Sequence, residues 1–283
     1  MRAAFGAGVF VGFLDEGLDS EAFDGLFGVS AGALNTMYWI SRARDGVRVY
    51  DEDLLRVGTT PFFLFGSVAH LAYRLARGRP AIDLRAVVHA MRVTHPIDIP
   101  RVLAHPTPVW FPVTNARTLS TEFLDARSLP EDMLVPMLAA ASSVPALADP
   151  FEFEQSAWID GACGAPLPVD EALRRGFTDL VVVLNLPLEQ HPTWYEPLLL
   201  RALSGPRGLS PDLARLVSSG RAARRAALRW LVHMPKHLRV TVIAPPVQPG
   251  RTLEREAHIV RRSIAVGNAT GSNWVRRARY AGR

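Results

Sequence analysis

Between Leu26 and Asn35 a short apolar run, Leu26 to Val29, meets a lone serine, Ser30. Gly28 stands two residues before the serine and Gly32 two residues after it, and a helix-compatible stretch follows at once. This is the strand–turn–helix context of a G-x-S-x-G nucleophile elbow, here Gly28-Val29-Ser30-Ala31-Gly32. Such a turn is too tight for side chains beside the serine, so Gly28 and Gly32 are expected to let strand and helix approach closely. Ser30 would then open a helix, where unpaired backbone N–H groups and the dipole favour negative charge.

The flanking segments extend the elbow into an α/β pattern. Ala3 to Leu18 reads as a helix, because Phe5, Val9 and Phe13 recur every four residues and Gly17 supplies a stop. Gly8 and Gly12 share the same spacing and leave one face bare for close packing. Phe23 to Val29 reads as a buried strand and Ala31 to Arg44 as a second helix. Residues 46–106 look helical and irregular, with an apolar cluster at Phe62 to Phe65 and a helix over Ala86 to Val93 ended by Pro96 and Pro100.

Further on, Pro108 to Thr114 reads as a strand despite Pro112, and Leu134 to Ala141 as a helix. A short strand, Ala157 to Asp160, precedes a helix over Pro168 to Arg175 closed by Gly176. Asp179 to Leu186 is apolar and β-branched, the pattern of a buried strand. Leu238 to Ala244 is the last strand, and Arg255 to Val266 a last helix stopped at Gly267. With no repeat or linker, residues 1–283 read as a single domain, its core at about 1–190 and a C-terminal strand and helices in 191–283.

Composition removes several alternatives. Cys163 is the sole cysteine, which excludes an internal disulfide and a cysteine-based zinc site. No run of 18 apolar residues predicts a membrane span. Residues 1–14 imitate a signal peptide, but Asp15-Glu16-Gly17 follows without a clear small-residue cleavage site, so the segment is read as structure. The formal charge of +5 is nearly all arginine. Residues 221–239 hold Arg221, Arg224, Arg225, Arg229, Lys236 and Arg239 around Trp230 and Leu231, with no acid. That stretch reads either as a solvated helix face or as an interfacial helix for anionic lipid. Nucleic-acid binding has only the charge in its favour and is not expected.

A serine nucleophile needs a base and oxyanion donors. The strongest second element is Trp158-Ile159-Asp160-Gly161-Ala162, a strand end with a carboxylate followed by glycine. The elbow followed by Asp160-Gly161-Ala162 resembles the patatin-like phospholipase family. Ala141-Ser142-Ser143-Val144-Pro145, Pro166-Leu167-Pro168 and the segment from Met1 to Val9 look like family segments too. The resemblance implies a three-layer α/β fold with a central, mostly parallel sheet. It also implies a Ser30–Asp160 dyad without histidine, no cofactor or metal, and hydrolysis of phospholipid or other acyl esters through an acyl-enzyme. It fits a cytoplasmic protein, peripheral at the membrane through 221–239.

The chain departs from the family in one place. A glycine-rich run, G-G-G-x-[RK]-G, normally follows the family's first strand and binds the oxyanion. Here only a remnant, Met1, Arg2 and Ala3, precedes the first helix. The expectation is that the natural protein is longer and that activity of this chain is impaired. Two other readings stay open: a non-catalytic lipid-surface binding protein, and an α/β-hydrolase triad joining Ser30, Asp160 or Asp179, and His258.

Overall fold

A computed structural model describes residues 2–53, 84–145, 148–153, 155–189, 210–234, 237–248, 254 and 256–281. Met1, Lys236 and the Phe62 to Phe65 cluster lie outside the described residues. In chain order the helices are α1 (Ala4–Asp15), α2 (Ala31–Ile40), α3 (Leu84–His89), α4 (Ile99–Leu103), α5 (Glu131–Ala140), α6 (Val169–Arg174), α7 (Pro211–Val232) and α8 (Ala257–Ala281). The strands are β1 (Leu26–Phe27), β2 (Val109–Asn115), β3 (Thr121–Asp125), β4 (Phe151–Phe153), β5 (Ser156–Asp160), β6 (Asp179–Val183) and β7 (Arg239–Ile243).

The sheet is mixed. β1 runs parallel to β2, and β6 parallel to β7. β3 and β5 pair antiparallel with β2, and β4 antiparallel with β5. β3 follows β2, and β5 follows β4, after short connections that reverse the chain; parallel neighbours need a longer crossover. The sequence pattern shows apolar strands but not these reversals. Among the described residues β1 pairs with β2 alone.

Helices cover both faces. Val109, Phe111 and Val113 of β2 are fully buried in a core shared with α1, α2, α5 and α8. Trp110 faces the other way, where it meets Phe27 and Phe177 and lies under the Arg175 guanidinium at 4.2 Å. β6 divides its side chains between two cores: Val181 and Val183 pack on the first, Val182 on a second with Val169, Leu228 and Leu231. This gives the three-layer α/β arrangement, with alternate residues of β6 packed against different neighbours; only Val182 is buried outright, less than the buried strand expected over Asp179 to Leu186.

Several element ends follow local chemistry. Gly17 adopts φ +71 and Gly176 φ +91, so both stop their helices as expected. Pro136 sits inside α5 and leaves the Asp132 carbonyl without its helical donor; Arg92 Nη2 donates to that oxygen at 2.9 Å. Two expectations need correction. The strand before the serine is only Leu26–Phe27 rather than Phe23 to Val29. Gly267 does not stop the last helix, which continues to Ala281. A Cβ on Gly267 would lie under 3.0 Å from the Phe5 carbonyl, so this glycine serves contact with α1. Gly271 meets Val9 in the same way, while Gly8 and Gly12 of α1 meet Ile264 and Asn268 of α8. Two glycine pairs thus bring the two helix backbones into contact. Among the described residues no helix is long and apolar enough to cross a membrane.

Candidate active site

The register of β2 brings the two sequence motifs together. β1 ends opposite Trp110 and runs parallel to β2; β5 ends with Asp160 opposite Val113 and runs antiparallel. β3 occupies the opposite edge of the same residues, so β1 and β5 share one edge and point their C-terminal ends at each other. Pro112 falls in the interval between those ends, where among the described residues no strand pairs with its side of β2. A proline inside a central strand is tolerated there because no neighbour asks for the missing N–H.

Gly28 carries the chain out of β1, its N–H donating to the Trp110 carbonyl at 2.9 Å. Ser30 follows at φ 55, ψ −129, a backbone conformation rare for a non-glycine residue, and α2 starts at the next residue. Strain of this kind costs on the order of 1–3 kcal/mol and is held by the surrounding structure. From the other side Gly161 turns the chain away from β5. A Cβ on Gly161 would lie under 3.0 Å from the Pro112 carbonyl, so only glycine permits the turn to hug β2.

Ser30 Oγ donates to Asp160 Oδ2 at 2.6 Å. Asp160 is 3% exposed, while Ser30 remains partly open. The other carboxyl oxygen, Oδ1, accepts from Ala162 N at 2.8 Å, which fixes the rotamer. Burial pushes the Asp160 carboxyl up to about 6, against the opposing pull of the Ser30 and Ala162 hydrogen bonds. A carboxyl held there is ionised at neutral pH yet takes a proton with little penalty. Cys163, beside it, is buried; burial and the Asp160 charge push its thiol up to about 12, so it stays neutral.

The segment around Ser143, read from the sequence only as a resemblance, has a physical role. Asp160 N donates to the Ser143 carbonyl at 2.9 Å, and the fully buried Ser143 Oγ donates to the Asp149 carbonyl at 2.6 Å. This second strap on Asp160 had no sequence signal beyond the small residues before Pro145.

The two elbow glycines differ. A Cβ on Gly28 would lie 2.5 Å from the Ala33 Cα, whereas one on Gly32 meets nothing within 4 Å among the described residues. Close approach is therefore the reason for Gly28 but not for Gly32, where an added Cβ would meet no described residue. Arg2 and Ala3 lie at the start of α1, and the Ala3 carbonyl is tied to the Asn35 amide of α2 at 3.0 Å. The structure does not bring His258 to the pair. It is exposed on α8 with its Nδ1 3.7 Å from Glu256, while Asp179 pairs with Arg239.

The basic stretch resolves into parts. Arg221, Arg224, Arg225 and Arg229 lie on α7; Arg239 is in β7 and neutralised by Asp179 at 2.6 Å. α7 packs against the turn after Asp160, for a Cβ on Gly220 would lie under 3.0 Å from the Cys163 carbonyl.

A three-layer α/β protein with a serine elbow joined directly to a buried carboxyl is thereby defined. A family model described as Patatin-like phospholipase matches residues 1–173, and the chain belongs to the patatin-like phospholipase family, a family of lipid acyl hydrolases. A search of curated proteins finds no match.

Proposed function

We propose that this chain, as a single patatin-like domain, hydrolyses carboxylic esters of lipids with Ser30 as nucleophile and Asp160 as base. The 2.6 Å hydrogen bond from Ser30 Oγ to the Asp160 carboxylate carries this reading. Ser30 Oγ attacks the acyl carbonyl while its proton passes to Asp160. The tetrahedral oxyanion is stabilised by backbone N–H at the start of α2, where Ala31 opens the helix. Collapse breaks the ester C–O bond, and Asp160 returns the proton to the leaving alcohol. Water then attacks the acyl-enzyme, giving up its proton to Asp160, and the acid departs as Ser30 is restored. No imidazole lies between serine and carboxylate, which favours the dyad over a triad through His258.

The test is labelling by a fluorophosphonate probe. Ser30 is expected to be labelled and Ser30→Ala to be unlabelled. Labelling that survives Ser30→Ala, or none in the wild-type chain, overturns the assignment; vesicle binding without labelling would identify a binding protein instead.

The substrate surface is proposed to be anionic lipid, reached through α7. Four of its five arginines, Arg221, Arg224, Arg225 and Arg229, share the helix with a single acid, Asp212, which is paired with the fifth, Arg215. Each cation close to such a surface is worth about 1 kcal/mol, screened by salt. Changing all four to alanine is expected to weaken binding to phosphatidylglycerol vesicles at least about 100-fold at low salt and much less at high salt. Equal binding by the quadruple variant excludes α7 as the docking element.

A further inference from the structure

Helix α1 begins without a side-chain cap of its own. The first N–H groups of a helix need acceptors from elsewhere. Gly6 N–H donates to Asn185 Oδ1 at 3.0 Å, and Asn185 stands just beyond β6, 179 residues away. One turn earlier, the Ala3 carbonyl accepts from Asn35 Nδ2 at 3.0 Å. Asn35 is 2% exposed, and its Oδ1 accepts from the Tyr50 hydroxyl at 2.8 Å. Tyr50 is buried, and burial pushes its phenol well up, so it remains a neutral donor.

Both ends of the Asn35 amide are therefore specified. Asparagine is a poor residue for a helix interior, and a buried amide is tolerated only when its hydrogen bonds are met. The two amides converge on one bare carbon: a Cβ on Gly6 would lie 2.6 Å from Asn185 Oδ1 and 3.4 Å from Asn35 Nδ2. Asn35 rides on the same helix that Ser30 opens, five residues further along.

We infer that Asn35, Tyr50 and Asn185 are positioning residues for the ester hydrolysis: they fix the backbone from Arg2 to Gly6 against the nucleophile helix. The inference rests on the proposed hydrolase reading, in which α2 carries Ser30 and the Ala31 N–H that faces the oxyanion, so the distance between α1 and α2 sets where both stand. Three elements set that distance: α2, the turn holding Tyr50 and the loop after β6. A displacement of about 1 Å in such a constellation costs up to about 100-fold in rate.

The experiment measures kcat and KM on a short-chain nitrophenyl ester, fluorophosphonate labelling rate and melting temperature. It compares wild type with Asn185→Ala, Asn185→Asp, Asn35→Asp and Tyr50→Phe. Asn185→Ala is expected to lower kcat and the labelling rate about 10- to 100-fold, with KM within about twofold, well below its melting temperature. Asn185→Asp keeps an acceptor, and a negative charge suits a helix N-terminus, so it is expected to retain the wild-type rate. Asn35→Asp loses the donor to Ala3, and Tyr50→Phe the donor to Asn35, so both are expected to resemble Asn185→Ala. If Asn185→Ala is labelled at the wild-type rate while wild type is active, the positioning role is overturned and the hydrolase reading stands. An unlabelled wild-type chain overturns both.

Discussion

Asp160→Asn is expected to lose ester hydrolysis by roughly 10²–10⁴-fold, the range for removing a general base, and to melt at a higher temperature than wild type at pH 8. The two effects share one cause. Burial raises the Asp160 carboxyl from its ordinary 3.8 to about 6. The folded state therefore holds this proton more tightly than the unfolded chain. Its contribution to stability is full below about 3.8 and is lost as pH rises through about 6. Above that, the buried carboxylate costs on the order of 3 kcal/mol relative to a neutral group. Asparagine fills the same space without the charge and can still accept from Ala162 N. The stability gain is expected to be absent near pH 4 and to grow through pH 6. Wild-type activity should rise over the same interval, as the base becomes ionised. Thermal melts and rate profiles across this range check both; a gain independent of pH would show that the carboxyl is not held up by burial.

Gly267→Val is expected to destabilise the fold by about 3 kcal/mol, near the upper end for an over-packed core. At 2–4 °C per kcal/mol for a chain of this size, the melting temperature should fall by about 6–12 °C. The added Cβ would lie under 3.0 Å from the Phe5 carbonyl, a backbone atom that no rotamer can move. α1 and α8 would have to separate along a contact that also includes Gly8, Gly12 and Gly271. Gly32→Ala is the contrasting case. Its Cβ meets nothing among the described residues, and alanine favours helix over glycine by about 1 kcal/mol. That variant is expected to be as stable as wild type or more so. A Gly267→Val protein that melts with wild type would mean that the helices are not packed backbone to backbone.

The local chemistry of this protein could be read residue by residue. Ser30 between Gly28 and Gly32, Asp160 before Gly161, the four-residue spacing in α1 and the stops at Gly17 and Gly176 are all short-range patterns. Turn sterics and helix periodicity act over a few residues, so a linear sequence displays them. The meeting of Ser30 with Asp160 is different in kind. It depends on β1 and β5 approaching head-on along one edge of β2, and register is a long-range choice. The same holds for Gly267, where local reasoning predicts a helix end and the demand for space comes from α1. It holds for Gly32, where local reasoning predicts a close contact and the position is open among the described residues. Asn35 and Asn185 carried no signal, and Ser143 none beyond the resemblance of its segment, because their hydrogen bonds reach other elements. The sequence by itself determined which residues can form an elbow, a carboxylate turn and a bare helix face. Only the tertiary structure decided what each one touches, because burial and hydrogen bonding between distant segments exist only once the strands have paired.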